Sequence, residues 1–410
     1  MKLVKFSLAI IFMISSIFAS NNSKISGDAR IYYGTEVENT ANPKEDLFGK
    51  PNSIGDFGAR VDYTRSLMND TVVLNAGFQS LSLFGVDSEF VGYSWVKHNN
   101  KKGRGDAYWI DTLNMQIKLN NTLAMTVGRQ ALDTPFFFTE TWNIAKNTFD
   151  AAIITNNDIP KTTLTAIWIG RGNGISGTGV VDANGTDLNG GMATFSRVLG
   201  SKPKPTYAFA VVTKLIPNTI TQAWYYKAPS IATAYWMQTD SNIMGIVLGA
   251  QYTEIELVEN SNKTSGFAVK LGYGKGAWNA YGAYSSTTGN TDGIDISNIA
   301  TGHTYGSQSK LYTESYWNYG YVGARNAKSF AVGAQYNLSS VKLNAHYTHV
   351  AGNTNNMDVK EAALTATTKL DLVDIEVAYI NAEIGLNLDE RTNSKRKNTL
   401  FVKTKIPFEL

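Results

Sequence analysis

SFAVGAQYNLSSVKLNAHYTHV, residues 329–350, places an apolar residue at nearly every second position, pauses at residues 337–340 and then resumes. Its apolar set is Phe330, Val332, Ala334 and Tyr336, then Val341, Leu343, Ala345 and Tyr347; Gly333, Gln335, Lys342, Asn344, His346 and Thr348 lie between them. Side chains of a strand point alternately to opposite faces, so the stretch reads as a hairpin with one apolar and one polar face. A soluble sandwich and a membrane barrel both use such hairpins. The rest of the chain has to separate them.

Alternation recurs in SGDARIYYG, with Ile25, Ala29, Ile31 and Tyr33 opposite Ser26, Asp28, Arg30 and Tyr32, and in DFGARVDYT, with Phe57, Ala59, Val61 and Tyr63 opposite Gly58, Arg60, Asp62 and Thr64. Further strand starts fall near residues 71, 107, 122, 147, 162, 205, 219, 231, 244, 266, 277, 329, 340, 358, 372 and 399, which makes eighteen strands. Between them, long connections (35–54, 80–106, 131–146, 172–204, 253–265, 285–328, 382–398) mostly alternate with short ones. GGMATFSRV, residues 190–198, would add a nineteenth strand and break the alternation, so it is read as part of the 172–204 loop. Short turns at one end, long loops at the other and an even strand number describe a transmembrane antiparallel β-barrel, not a sandwich. Tyr63, Tyr273, Tyr336 and Phe408 beside short turns, with Tyr33, Tyr252, Tyr284, Tyr347 and Tyr379 near long loops, are expected to form two aromatic girdles. The last stretch, TLFVKTKIPFEL, alternates to Leu410 and is expected to close on the first strand, because an open edge in lipid leaves backbone groups unpaired.

Composition agrees. The 410 residues are 43% hydrophobic and 17% charged, with 21 Tyr, 18 Phe and 36 Gly, a mixture too aromatic for a disordered chain. MKLVKFSLAIIFMISSIFAS has Lys2 and Lys5, an apolar run from Phe6 to Phe18 and the small pair Ala19–Ser20, the layout of a secretory signal peptide (residues 1–19) ahead of one domain, 20–410. Without those two lysines the formal charge falls from +3 to +1, which gives no electrostatic support for nucleic-acid binding. There is no cysteine, so thiol chemistry and disulfides are excluded. No cofactor is implied.

Residues 127–173 hold GRQ (128–130), DTP (133–135), NTFDA (147–151) and DIPKTTL (158–164), and residues 222–238 read QAWYYKAPSIATAYWMQ. These stretches resemble the OprD-like outer-membrane porins, over roughly 110 residues by motif. The resemblance implies an 18-stranded barrel in the bacterial outer membrane, with inward-folded loops that narrow a passive pore for small hydrophilic solutes, often organic acids or basic amino acids. It also implies outer-membrane lipid and the barrel assembly machinery as partners, and leaves a homotrimer open. Outer-membrane barrels usually end in an aromatic residue read by that machinery, whereas this chain ends Phe408, Glu409, Leu410.

Eighteen strands about 4.8 Å apart and tilted about 40° enclose a bore roughly 35 Å wide, which side chains alone cannot fill. The 131–147 loop is the first candidate constriction: Phe136, Phe137, Phe138 and Trp142 would anchor it to the inner wall while Asp133 and Glu140 face the channel. The aromatic 285–328 loop, with His303, Tyr305, Tyr312, Tyr316, Trp317, Tyr319 and Tyr321, is expected to fold over or into the mouth. Alternation aims Arg30, Arg60, Lys118, Arg171, Lys270, Lys342, Lys403 and Lys405 inward as pore-lining cations, against Asp28, Asp62, Glu361, Asp374 and Glu376. Arg129 falls on the apolar face by strict counting, which signals a strand end or bulge.

Two other classes compete. His346 and His349 point to opposite faces of a strand and cannot share a metal, and no nucleophile elbow, P-loop or HExxH occurs, so an enzyme would need a hydrolase site assembled across strands. A surface adhesin or receptor would use the long loops, and DANGT (182–186) resembles a bacterial N-glycosylation acceptor.

Overall fold

Each hydrophobic alternation becomes a strand that pairs antiparallel with its sequence neighbour. The computed structural model describes residues 22–38, 47–82, 91, 106–142, 144–173, 205–290, 292–299, 307–352, 357–388 and 391–410. The strands are β1 (Ser23–Glu38), β2 (Ser53–Leu67), β3 (Val72–Ser82), β4 (Asp106–Lys118), β5 (Leu123–Gln130), β6 (Thr148–Asn156), β7 (Thr162–Asn173), β8 (Thr206–Thr213) and β9 (Thr219–Ala228). They continue as β10 (Ala232–Ile243), β11 (Ile246–Leu257), β12 (Lys263–Lys275), β13 (Trp278–Gly289), β14 (Lys328–Leu338), β15 (Val341–Ala351), β16 (Met357–Leu370), β17 (Val373–Leu388) and β18 (Arg391–Glu409). Among the described residues this makes one 18-stranded sheet, and β18 pairs with β1 from Ser26↔Glu409 to Glu38↔Lys397. The barrel is closed and antiparallel, as the alternation required.

At one end the connections are tight. Met244 (φ 52°) and Gly245 (φ 89°) form a two-residue turn between β10 and β11, and Ser339 and Asp371 take positive φ in the corresponding turns after β14 and β16. Such left-handed turns match the twist of a hairpin. The long connections lie at the other end, with two departures from the sequence reading. The 253–265 connection shrinks to residues 258–262, and the 382–398 connection vanishes into β17 and β18, which run to Leu388 and from Arg391. The second was hidden because Ile380, Ala382 and Ile384 are apolar on the inward face, so alternation fades where the strand in fact continues. Residues 1–19, which have the layout of a signal peptide, the 190–198 segment, DANGT, His303 and Tyr305 lie outside the described residues.

The two wall faces differ as the hairpin pattern predicts. Outward residues such as Met115, Ile154, Phe209, Leu248, Val269, Val332, Leu343 and Leu364 are exposed apolar side chains. Rings bracket that belt: Tyr273, Trp278 and Tyr336 near the turns, and Trp168, Tyr207, Tyr252, Tyr284 and Tyr379 toward the loops. The packed core is inside the barrel. Phe136, Phe137, Phe149, Tyr226, Trp236, Ile255, Ile296, Ile299, Leu311 and Val322 are all nearly or fully buried and belong to one cluster of wall and loop residues. A smaller cluster joins Tyr32, Leu81, Ile144, Ile380 and Phe401.

Candidate functional site

The first inward loop is built on a tight turn. Thr134 precedes Pro135, whose fixed φ suits a turn, and the Thr134 hydroxyl both donates to the Phe137 carbonyl (2.9 Å) and accepts from the Phe137 N–H (3.1 Å). That turn drives consecutive phenylalanines into the wall. Phe136 packs edge-on against Tyr226 and Trp236 at 5.3 and 5.7 Å, and Phe137 meets Phe149 at 6.4 Å. Removing a buried phenylalanine side chain costs about 3–5 kcal/mol. Phe136→Ala is therefore expected to loosen the loop without opening the barrel, read as new protease cleavage within 131–147 while the strands stay protected.

The 290–327 loop is the larger insert, and it is joined to the first. Asn298 donates to the Phe138 carbonyl (2.8 Å) and to Glu140 (2.9 Å), and accepts from the Phe138 N–H; the Ile299 N–H donates to the Phe136 carbonyl. Trp142 meets Trp317 edge-on at 5.9 Å, and Lys310 pairs with Asp133. The insert is also clasped to the wall. Glu361, 1% exposed on β16, accepts from the backbone N–H groups of Tyr316 (2.6 Å), Trp317 (3.1 Å) and Asn318 (2.7 Å), and from the Asn318 side chain (2.7 Å). Tyr316 donates to Glu376 at 2.6 Å and Tyr312 to Asp240 at 2.7 Å. Gly249 makes the latter approach possible, since a Cβ there would lie 2.6 Å from the Tyr312 ring.

Beside this insert the wall of β15–β18, β1 and β2 encloses a chamber of about 770 Å³. Seven cations line it, Arg30, Arg60, Lys146, Lys342, Lys369, Lys403 and Lys405, against the two acids Asp374 and Glu376. The register explains the grouping. One cross-strand row runs Lys342, Thr367, Glu376, Lys403, Tyr32, and the next runs Lys369, Asp374, Lys405, Arg30. Some of the charge is compensated from behind: Asp28 pairs with Arg30, while Asp62 and the fully buried Asp111 pair with Arg60 at 2.7 and 3.2 Å. Lys146 projects from the first loop to within 4.0 Å of Asp111. Burial first, then repulsion from Arg60, lowers its ammonium below the ordinary lysine range, with Asp111 and Asp62 opposing. The net field of the chamber is positive.

The sequence-predicted residues distribute unevenly over this geometry. Arg30, Arg60, Lys342, Asp374, Glu376, Lys403 and Lys405 come together in the chamber. Lys270 also faces inward, but on another wall, 3.5 Å from Asp240 and over the Tyr312 ring. Lys118 sits at the turn end of β4 on the inward row, and Asp62 stands behind Arg60. Glu361 lines no open water, being covered by the loop it holds. Glu140 does not face the channel: it is 7% exposed and bonded to Trp142 and Asn298, because the loop turns it toward the insert. Asp133, with its side chain 87% exposed, does stay accessible beside Lys310, whose ammonium also lies over the Phe138 ring. Arg171 points outward, not into the pore, because a bulge between its register partner Asp150 and Ala151 shifts the count by one. Lys146, Lys369 and Asp111 were not anticipated. Continuing the alternation from Glu361 would have found Lys369, and the phase change between Ile110 and Leu113 marks the bulge that turns Asp111 inward.

One carboxyl in the insert links docking to pH. Glu314 accepts the backbone N–H groups of Ser309 (2.5 Å) and Ser315 (3.0 Å). Burial outweighs those bonds, and with Glu361 nearby the pKa is pushed up from 4.5 to about 7. The neutral form is thus favoured in the docked state. Its stabilising effect is complete below the ordinary value of 4.5 and is lost as pH rises through about 7, at most about 3 kcal/mol because the residue is only half-buried. Single-channel recordings are expected to show more frequent open-state fluctuation at pH 8.5 than at pH 5.5, and Glu314→Gln is expected to keep the quiet behaviour throughout.

No family model matches the chain, and no curated protein matches it by sequence. Solved structures do. OccAB1 of Acinetobacter baumannii superposes with a TM-score of 0.70 at 11% identity, covering 95% of this chain and 97% of that one. OpdK of Pseudomonas aeruginosa, solved with vanillate, gives 0.69 at 11% identity over 95% and 99%. OccK8 (OprE) of the same organism gives 0.67 at 14% identity over 94% and 98%. At these identities the shared property is the fold, a closed 18-stranded barrel.

Proposed function

We propose that this chain is an outer-membrane channel of a Gram-negative bacterium through which small hydrophilic solutes diffuse passively, with preference for those carrying a carboxylate. The observation that carries the reading is the chamber in which seven cations face two acids beside a folded loop insert. Fixed charge at close quarters sets ion preference. The exposed apolar belt between aromatic rings is the surface such a barrel presents to outer-membrane lipid. One of the structural neighbours was solved with vanillate, an aromatic carboxylate, which supports the same solute class here. Pairing of β1 with β18 closes the pore within one chain, so a trimer is not needed to form it. Contact with the barrel assembly machinery belongs to the same proposal. The test is current through the refolded protein in a planar bilayer across a salt gradient. Steady openings with anion preference, blocked by small carboxylates, are expected; a folded barrel that carries no current would overturn the reading.

A further inference from the structure

The outward face of the wall carries a charged group that the channel does not use. Leu113 on β4, Arg129 on β5, Asp150 on β6 and Arg171 on β7 are successive register partners, so they share one face. Leu113 is 57% exposed on the outer belt, which fixes that face as the outer one. Both arginines bind the same carboxylate: Arg129 Nε lies 2.9 Å from Asp150, and Arg171 Nε donates to its other oxygen. Two cations around one anion leave one positive charge. The Arg171 side chain is 42% exposed and, among the described residues, its two terminal nitrogens make no hydrogen bond.

Position gives the group its meaning. Trp168, the outward ring of β7, pairs with Tyr207 in the aromatic band toward the loops, and Arg171 lies just beyond it on the same strand. An outward arginine is costly at the bilayer centre and nearly free of cost at the interface, so this is the depth at which it can stand. A planar guanidinium matches phosphate oxygens in fork geometry. We infer that Arg129 and Arg171, held by Asp150, form a binding site for the phosphorylated headgroup of an outer-leaflet glycolipid. An amphiphile fits where a free anion does not gain: its phosphate meets the open terminal nitrogens of Arg171, with Arg129, whose Nη1 donates to the Ile110 carbonyl at 2.8 Å, adding charge beside it, while its chains lie along Leu113 and the belt below. Asp150 sets the geometry and keeps the pair from repelling.

The inference rests on the membrane placement proposed above, which channel current in the same preparation tests separately. The refolded protein in detergent micelles is titrated with bisphosphorylated lipid A, with its dephosphorylated form and with inorganic phosphate, and bound lipid is read by native mass spectrometry. Tight binding of the phosphorylated form is expected, with at least tenfold loss in the double variant Arg129→Gln, Arg171→Gln and an intermediate loss in the corresponding Lys pair, which keeps the charge but not the fork. Should the glutamine pair fail to fold, Arg171→Gln alone carries the test, with at least threefold loss expected. Equal binding of the dephosphorylated lipid, effective competition by inorganic phosphate, or unchanged binding in the glutamine variant overturns it. A preparation that conducts normally yet retains no phosphorylated lipid overturns this inference while leaving the channel standing.

Discussion

Glu361→Ala is expected to raise single-channel conductance severalfold by releasing the 290–327 insert from the wall. Four hydrogen bonds converge on this carboxylate, three of them from consecutive backbone amides. Bonds to an ionised group contribute about 1.5–3 kcal/mol each, and the amides left behind lose their partners inside a packed insert. The bonds share one acceptor and are not additive, so about 4 kcal/mol for the whole clasp is a reasonable scale. That shifts the ratio of docked to released loop by roughly a thousandfold. Tyr316 on Glu376 and the apolar contacts of Trp317 with Phe401 remain, so the loop should fluctuate rather than leave the lumen altogether. Glu361→Gln keeps the shape but turns a donor toward the amides, and should fall between the two. Unchanged conductance and unchanged protease resistance of the insert in the alanine variant would show that the clasp does not hold the loop.

The second large effect concerns selectivity. Reversing Lys342 and Lys403 to glutamate should invert the sign of the reversal potential across a salt gradient, whereas Glu140→Gln should leave it unchanged. Both lysines lie on one cross-strand row facing the chamber. A unit charge a few ångströms from a permeant ion in a water-filled passage is worth about 1 kcal/mol. Each reversal changes the local charge by two, so one reversal alters the entry of either ion by about thirtyfold before screening, in opposite directions for anion and cation. Raising the salt should shrink the effect, because mobile ions screen wall charge over about 10 Å at 0.1 M. Glu140 is spent on Trp142 and Asn298, and its loss should appear as loop instability instead. A reversal potential that follows Glu140 and ignores the lysines would place the narrow point in the first loop's acids.

What could be read from the chain beforehand follows the physics of alternation. Eighteen strands, the closing strand and the inward set from Arg30 to Lys405 all depend on a period of two, which a wall between lipid and water enforces residue by residue. Where a third environment intrudes, the period fails. Ile380 and Ile384 are inward yet apolar because they join clusters that include insert residues, and Ala382 between them is buried too, so this part of β17 reads as a loop. Bulges at Asp111 and beside Asp150 shift the phase, which is why strict alternation puts Arg171 on the wrong face. Loop residues carry no such period. The anchoring phenylalanines were legible from their type, since three in a row suit no solvated loop. The direction of Glu140 and the partners of Glu361 depend on contacts between segments about 40 to 160 residues apart, which local pattern does not encode.

The seam between β1 and β18 sets the order in which this molecule can come into being. Every other strand meets its neighbours within a hairpin, but Ser26 has to wait for Glu409. Long-range pairing is slow because loop-closure entropy is lost before the contact rewards it. Until the last strand arrives, the sheet is a curved ribbon with two bare edges, each a template for pairing with another chain. The lumenal insert, anchored to β10 through Tyr312 and to β16 through Glu361, can take its final seat only on a ring that is already round or nearly so. Closure is therefore a single late event: it converts an aggregation-prone ribbon into a vessel, and the chain has no stable half-built form to rest in.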